Sequence, residues 1–314
     1  MTLREIRAAA KLVHGVFGPT PQYVWPLLSQ RADAEVWVKH ENDTPIGAFK
    51  VRGGLTFVEE LVRAEPHVRG VIAATRGNHG QSIAFAARRA GIASTIVVPH
   101  GNSVEKNAAM RALGAELVVY GRDFQEAREE MERLAVRRDL REVPSFHPWL
   151  VRGVATYALE LFEAAPQLDR VYVPIGLGSG ICGTIAVRDA LERGAEVVGV
   201  VAEGADAYAR SFEAGRVVAT EDATTIADGV AVRVPDPDAL ATIRRGAARV
   251  IRVSDAEIKA AMRAIFTDTH NVAEGAGAAA LAGLMRERES AKGKRVGLIL
   301  SGGNVDRDVF ASIL

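Results

Sequence analysis

A glycine-rich turn follows a run of β-branched residues near the middle of the chain. It consists of Gly176, Leu177, Gly178, Ser179 and Gly180. Glycines let the backbone turn sharply and present N–H groups to an anion, and the N-terminus of the following helix adds positive potential. The turn therefore predicts a phosphate site, and a plain βα connection is the alternative. Residues 178–183 also satisfy G-x-G-x-x-G, with Glu203 at the end of the next predicted strand, so a dinucleotide is one candidate ligand.

Lys50 lies just inside a predicted helix start and has apolar neighbours, among them Ile46, Phe49 and Val51. A lysine held in an apolar cleft loses proton affinity, and its neutral amine can attack a carbonyl group to form a Schiff base. The alternative is an ordinary helix lysine with its ammonium group in solvent. Taken together with two further turns described next, this setting favours a reactive amine.

Two further turns follow predicted strands and offer polar groups to a ligand. The first contains Thr75, Arg76, Gly77, Asn78 and His79. Its backbone amides suit a carboxylate, and the Asn78 side chain suits a ring oxygen. The second turn, residues 301–304, places the Ser301 hydroxyl where it can meet a ligand heteroatom. Taken alone, each turn also fits a helix N-cap.

Short β-branched runs alternate with helical patterns along most of the chain. Strands are predicted at 35–41, 70–75, 93–99, 115–121, 170–175, 195–203 and 295–301. Strands separated by helices of about 10–15 residues indicate βαβ units and parallel sheets covered on both faces. The pattern occurs on both sides of a proline-containing break at 144–148, which predicts two α/β domains with a cleft between them.

Composition excludes several classes of protein. The 314 residues carry 39 basic and 39 acidic side chains with no basic run of five, which argues against nucleic acid or an anionic membrane as the main partner. No apolar run approaches the roughly 18 residues of a membrane-spanning helix. Cys182 is the single cysteine, so an intramolecular disulfide and a multi-cysteine zinc site are excluded. We expect a cytoplasmic protein.

The motifs occur in the order seen in fold-type II pyridoxal-phosphate enzymes, and the chain resembles the threonine/serine dehydratases in particular. The resemblance extends from Pro19 through the segment 226–232 to residue 306. It implies two doubly wound parallel-sheet α/β domains of the tryptophan synthase beta-like fold, with the cofactor in the cleft. Residues 1–65 and 145–314 would form the large cofactor-binding domain, and residues 66–144 the small domain that binds the substrate carboxylate.

The resemblance also implies roles for the motif residues. Lys50 would hold pyridoxal 5'-phosphate as a Schiff base and later take the Cα proton of the substrate. Phe49 would pack against the pyridine ring, Asn78 would bind its 3-hydroxyl, and Ser301 would meet its nitrogen. The glycine turn would bind the phosphate, and the turn at 75–79 would bind the substrate carboxylate. Because serine is a weak acid, the ring nitrogen would stay largely unprotonated, which favours prompt β-elimination.

These roles imply a lyase that converts threonine, serine or a hydroxyaspartate-like amino acid into a 2-oxo acid and ammonia, in a homodimer or larger oligomer. The alternatives are another β-elimination or β-replacement enzyme of the family, an NAD(P)-dependent oxidoreductase that uses the glycine turn, and an inactive cofactor-binding protein. Glu274 matches a glutamate that lies near the cofactor in relatives, and a first-turn helix acid is its alternative interpretation.

Two of the departures from the family pattern bear on the substrate and on metal binding. Arg76 replaces a residue that is usually small and that is a catalytic serine in the serine racemases, so racemase activity is in doubt. Its guanidinium either reads a second carboxylate or polar group of the substrate or turns outward. Val201 and Ala207 occupy the positions of the two acidic ligands of a divalent cation in relatives, so no metal site is expected.

Overall fold

The computed structural model describes residues 1–165 and 167–314. The described residues form ten strands: β1 (Gln22–Val24), β2 (Glu35–His40), β3 (Gly70–Ala74), β4 (Ala93–Val98), β5 (Glu116–Val119), β6 (Arg141–Glu142), β7 (Arg170–Pro174), β8 (Glu196–Ala202), β9 (Arg249–Val253) and β10 (Arg295–Leu300). They also form the α-helices α1 (Leu3–His14), α2 (Pro26–Ala32), α3 (Lys50–Ala64), α4 (Asn78–Ala90), α5 (Val104–Ala112), α6 (Phe124–Arg138), α7 (Pro148–Ala164), α8 (Ser179–Ala190), α9 (Ala207–Ala214), α10 (Pro237–Gly246), α11 (Asp255–Thr269), α12 (Gly275–Arg286), α13 (Arg288–Ala291) and α14 (Arg307–Ile313).

The strands fall into two sheets. One has six strands in the order β1-β2-β10-β7-β8-β9, and the other has four in the order β5-β4-β3-β6. All pairings are parallel except that of β1 with β2, which is antiparallel at the edge of the larger sheet. The prediction of a parallel α/β fold with two sheets is confirmed.

Local signals in the sequence explain the start of α11 and the buried face of α1. The Ser254 hydroxyl accepts a hydrogen bond from the Glu257 backbone N–H, and the Glu257 carboxylate accepts one from the Ser254 backbone N–H, which forms a capping box at the start of α11. On α1 the apolar stripe buries Ile6, Ala10 and Val13. No helix in the described ranges is long and apolar enough to cross a lipid bilayer.

Helix α3 lies between the two halves of the molecule, by which we mean the part that contains the larger sheet and the part that contains the smaller one. It packs against α4, which follows β3 of the smaller sheet, and against α7, which precedes β7 of the larger sheet. Nine of its residues are buried, including two consecutive glycines that allow close helix contacts. A residue at the start of α3 therefore lies where both sheets can contribute to one site.

Candidate active site

Lys50 is the first residue of α3, and the residues around it are joined to the end of β10. The Phe49 backbone N–H donates a hydrogen bond to the Ser301 carbonyl oxygen at 3.0 Å. Ala48 pairs with Gly302 in an isolated β-bridge. These contacts bring the lysine motif and the turn at 301–304 together, although they stand near opposite ends of the sequence.

The environment of Lys50 is apolar. Its Nζ lies 5.2 Å from the centroid of the Phe49 ring. Burial lowers the pKa of the amine to about 8, and the negative charge of Glu274 partly opposes this shift. No hydrogen bond within the described residues ends on this nitrogen. These observations agree with a reactive amine rather than a solvated helix lysine.

The glycine turn connects β7 to α8 in a conformation that needs its glycines. Gly178 has φ +100°, which side chains of L-residues rarely tolerate. A Cβ atom on Gly176 would stand 2.4 Å from the Gly229 carbonyl oxygen. The buried Ser179 is the first residue of α8, and no side chain caps this helix start. The free backbone amides of the first helical turn are the groups that bind anions.

Aromatic side chains hold the glycine turn in place. The Tyr157 hydroxyl donates to the Gly180 carbonyl oxygen at 2.8 Å, and the Tyr208 hydroxyl donates to the Leu177 carbonyl oxygen at 2.9 Å. The Tyr157 ring also contacts the Phe49 ring edge-on, with 6.0 Å between centroids. Phe49 thus lies between Lys50 and the turn.

The turn at 75–79 joins β3 to α4 and has one exposed charged side chain. The Gly77 N–H donates to the Thr75 hydroxyl at 3.0 Å, so this amide is already engaged within the turn. Arg76 is exposed. His79 is buried, and desolvation together with the charge of Lys50 lowers its pKa to about 3, which keeps the ring neutral.

Five polar side chains form a hydrogen-bonded cluster beside this turn, which we call the Glu274 cluster: Asn78, Lys106, Asp228, Glu274 and Asn304. Asn78 Nδ2 donates to Glu274 Oε1 at 2.6 Å, and Asn304 Nδ2 donates to Asn78 Oδ1 at 2.9 Å. Lys106 Nζ donates to Asp228 Oδ2 at 2.6 Å and to Glu274 Oε2 at 3.2 Å. Glu274 directly precedes α12 but caps no backbone amide there, so its side chain is used in the cluster.

The Glu274 carboxyl group is buried with other charges. Glu274 is 3% exposed. Desolvation raises its pKa, Lys106 opposes that shift, and Asp228 adds to it. The role of Lys106 was not predicted, because a lysine on an amphipathic helix pattern reads as a surface residue unless its distant partners are known.

A second cluster of buried charged residues, which the sequence did not predict, surrounds Arg52 of α3. We call it the Arg52 network: Thr20, Lys39, Glu41, Arg52 and Glu160. The Arg52 guanidinium donates to both oxygens of Glu41, at 2.7 and 2.9 Å, and to both oxygens of Glu160, at 2.6 and 2.9 Å. The Thr20 hydroxyl donates to Glu41 at 2.6 Å. The sequence signal that could have indicated this network is Arg52, an arginine among the buried residues of α3.

The acidic residues that follow β8 are engaged by arginines. Glu203, the acid of the dinucleotide spacing, lies 3.2 Å from an Arg286 nitrogen. Asp206 pairs with Arg210 at 2.7 Å and with Arg252 at 2.9 Å. Asp206 thus has both carboxylate oxygens in ion pairs, whereas Glu203 is exposed and uses one oxygen for Arg286.

A family model described as "Pyridoxal-phosphate dependent enzyme" matches residues 13–302. The chain belongs to this family. The matched range includes Lys50, the glycine turn and Ser301, and it decides between the two candidate cofactors in favour of pyridoxal phosphate. The expectation of a fold-type II enzyme is confirmed by the family and by the solved structures that share the fold.

Known proteins resemble the chain over its whole length. It is 33% identical to the L-threo-3-hydroxyaspartate ammonia-lyase of Saccharomyces cerevisiae, an alignment that covers 100% of this chain and 96% of that protein. It is 32% identical to the L-threonine ammonia-lyase of Thermotoga maritima, with 100% and 78% covered. Its structure superposes on threonine deaminase isoform 2 of Solanum lycopersicum with a TM-score of 0.93 and 29% identity, covering 99% of this chain and 91% of that one.

Proposed function

We propose that this protein is a pyridoxal-phosphate-dependent ammonia-lyase that dehydrates and deaminates a β-hydroxy-α-amino acid. The observation that carries the proposal is the Lys50 amine, whose pKa is lowered to about 8 by burial at the junction of the glycine turn and the end of β10. The resemblance to hydroxyaspartate and threonine ammonia-lyases over the full chain supports the reaction type.

In this reaction the substrate loses its Cα proton and its Cβ hydroxyl, water is added back, and a 2-oxo acid and ammonia are released without an oxidant. Bound pyridoxal phosphate supplies an aldehyde for the amine and an electron-accepting ring. Lys50 is the group we assign to the Cα proton. An amine with a pKa near 8 is partly neutral at physiological pH, and only the neutral form can accept a proton.

The site residues fit this cofactor. A phosphate suits the backbone amides of the glycine turn, and a side chain at Gly176 would meet the Gly229 carbonyl oxygen at 2.4 Å. We assign Phe49 to contact with the pyridine ring and the buried Ser301 to its nitrogen. One N–H of the Asn78 amide is taken by Glu274, which leaves the other for the ring hydroxyl oxygen.

For the substrate we propose that the α-carboxylate binds the turn at 75–79 and that Arg76 reads a second carboxylate or polar group. The exposed Arg76 guanidinium is available for this, since no hydrogen bond within the described residues engages it. A planar guanidinium pairs well with a carboxylate. We therefore propose 3-hydroxyaspartate as a substrate beside threonine and serine.

We further propose a cytoplasmic homodimer or larger homo-oligomer with two domains. Residues 66–144 would be the small domain and residues 1–65 and 145–314 the large one. The domain assignment is supported by sheet membership, because β3 to β6 make up the smaller sheet.

The test begins with the colour of the purified protein. Loaded with pyridoxal phosphate it should absorb in the visible range, and borohydride reduction should bleach it and leave the cofactor on the peptide that contains Lys50. Release of 2-oxo acid from threonine, serine and 3-hydroxyaspartate then identifies the reaction.

Lys50→Ala should abolish both the covalent cofactor and 2-oxo acid release. Lys259→Ala, at an exposed position of α11, is the matched control and should behave like the wild type. Cofactor on a different lysine, or a loaded protein that releases no 2-oxo acid from any of the three amino acids, would contradict the proposal.

A further inference from the structure

We propose that Lys106 is a positioning residue: it holds Glu274 as a carboxylate, and Glu274 in turn orients the Asn78 amide so that an N–H faces the ring oxygen of the cofactor. The inference rests on the proposed function, because it assigns Asn78 to that oxygen. Lys106 itself contacts neither cofactor nor substrate in this scheme.

Lys106 reaches the site from the opposite half of the molecule. It belongs to α5, between β4 and β5 of the smaller sheet, whereas Asp228 and Glu274 follow strands of the larger sheet. Its side chain passes Gly77, where a Cβ atom would stand 2.5 Å from Lys106 Cδ. The lysine stem is therefore packed against the turn at 75–79, and its residue is 6% exposed.

The hydrogen bonds of the cluster have one direction. The Ile46 carbonyl oxygen can only accept, so the group of Asn304 that faces it at 2.7 Å is the amide nitrogen. That nitrogen also donates to Asn78 Oδ1, which turns the Asn78 nitrogen towards Glu274. A carboxylate only accepts, so this orientation is enforced from both ends. A protonated Glu274 would be able to donate, and the constraint on Asn78 from this end would be lost, which leaves only the hydrogen bond from Asn304.

Without Lys106 the carboxylate form of Glu274 would be difficult to maintain. The groups that face Glu274 are Lys106, Asp228, Asn78 and Lys50. Asp228 is a second negative charge, and burial penalises any unpaired carboxylate. The ammonium group of Lys106 lies within hydrogen-bond distance of both acids, so its removal leaves two facing carboxyl groups, and Glu274 should take up a proton.

A purely structural link between the two halves is the competing explanation, and the chain offers a control for it. Next to α5, the Ser103 hydroxyl donates to Asp306 at 2.5 Å, a hydrogen bond that also joins the two halves. Ser103 accepts a hydrogen bond from the backbone N–H of Lys106, but neither Ser103 nor Asp306 hydrogen-bonds to a side chain of the Glu274 cluster. Asp306→Ala removes this second link and leaves Lys106 and Glu274 intact.

The experiment compares Lys106→Met, Lys106→Arg, Glu274→Gln, the double variant Lys106→Met/Glu274→Gln and Asp306→Ala. Each is titrated with pyridoxal phosphate to obtain the Kd, and the visible band of the bound cofactor is followed against pH. Lys106→Met should weaken cofactor binding by about tenfold or more, the range for losing a hydrogen bond to a charged group, and should move the pH midpoint of the band. Lys106→Arg should restore most of both properties, and Asp306→Ala should match the wild type.

The double variant makes the test independent of a folding defect. If Lys106 acts through Glu274, then Lys106→Met in the Glu274→Gln background should change the Kd and the midpoint by less than about twofold, since coupled residues are not additive. Full additivity, or an equal effect of Asp306→Ala, would overturn the inference. If the wild type binds pyridoxal phosphate and Lys106→Met has the same Kd and pH midpoint, only this inference is overturned. If the wild type takes up no pyridoxal phosphate, the proposed function and this inference are both overturned.

Discussion

The Lys50 side chain has two properties that an exposed lysine lacks. Its amine is desolvated, which lowers its pKa to about 8, and it stands beside the buried acid Glu274, whose charge limits that shift. The two effects are opposite in sign. An amine with a lowered pKa is neutral for a larger fraction of the time, which is what Schiff-base formation and proton abstraction both require.

The pH dependence of cofactor uptake should follow this balance. In protein freed of cofactor, the rate of pyridoxal-phosphate uptake should rise with pH through a midpoint near 8, as Lys50 loses its proton. Since the Glu274 carboxylate favours the charged amine, Glu274→Gln should move this midpoint to lower pH. Stopped-flow absorbance at a series of pH values measures it. A midpoint above 10 would show that Lys50 is solvated.

Arg76 should decide between substrates. Arg76→Ala should lower kcat/KM for 3-hydroxyaspartate by about tenfold or more, the value of a charge-assisted hydrogen bond, and leave threonine nearly unchanged. Arg76→Lys keeps the charge but loses the planar fork, so an intermediate value is expected. Arg89→Ala, at an exposed position near the other end of α4, is the control. An unchanged preference in Arg76→Ala would show that the side chain faces away from the substrate.

At the scale of elements, the backbone conformation of the glycine turn should limit which substitutions the turn tolerates. Gly178→Ala places a side chain at φ +100° and a Cβ atom 2.7 Å from the Ala239 Cβ. We expect a loss of about 1–3 kcal/mol in the free energy of unfolding and weaker cofactor binding. Denaturant midpoints and cofactor titration measure the two effects. Gly194→Ala, where nothing lies within 4 Å of the added Cβ, should change neither, and equal behaviour of the two variants would refute this account of the turn.

Local sequence predicted seven of the ten strands and missed three, namely β1, β6 and β9. The predicted strand 295–301 became β10, Arg295–Leu300, and the predicted strand 35–41 became β2, Glu35–His40. Strand β9 was not predicted. It is an edge strand whose Arg249 and Arg252 pair with acids from other elements, so it lacks a continuous apolar run.

The candidate site shows the same limit. The glycine turn and Lys50 were identifiable because each carries its chemistry within a few residues. Their proximity to Ser301 depends on β10 lying between β2 and β7, a strand order that no local pattern specifies. The partners of Lys106 and Arg52 are likewise distant in sequence, so the charged clusters became visible only in the folded chain.

At the scale of the whole molecule, the Arg52 network links distant elements. Arg52 is on α3, Glu160 is on α7, and Glu41 follows β2. On α7, Tyr157 contacts the glycine turn while Glu160 holds the helix of Lys50 through Arg52. One helix therefore contacts both parts of the site. Buried ion pairs of this kind are costly to break, because removal of one partner leaves an uncompensated charge.

Because of this network, the free energy of unfolding should depend on pH in acidic solution. Desolvation raises the pKa of Glu160, but Arg52, Lys39 and His14 outweigh it and lower the pKa from 4.5 to about 2. A carboxyl group whose pKa is lower in the folded state contributes stability above its unfolded pKa, and this contribution is lost as the pH falls through its folded pKa. The shift corresponds to about 3 kcal/mol, lost between pH values of roughly 4.5 and 2.

Glu160→Gln should therefore be less stable than the wild type at pH 7, because Arg52 and Lys39 lose a partner, yet its stability should fall less steeply below pH 4.5. Urea unfolding of the cofactor-loaded protein at several pH values gives both the offset and the slope. Glu163→Gln changes an exposed acid on the same helix, paired with Arg7 at 3.5 Å, and should keep the wild-type slope. Parallel curves for Glu160→Gln and the wild type would mean that Glu160 titrates alike in the folded and unfolded chains and that its ion pairs contribute no acid-dependent stability.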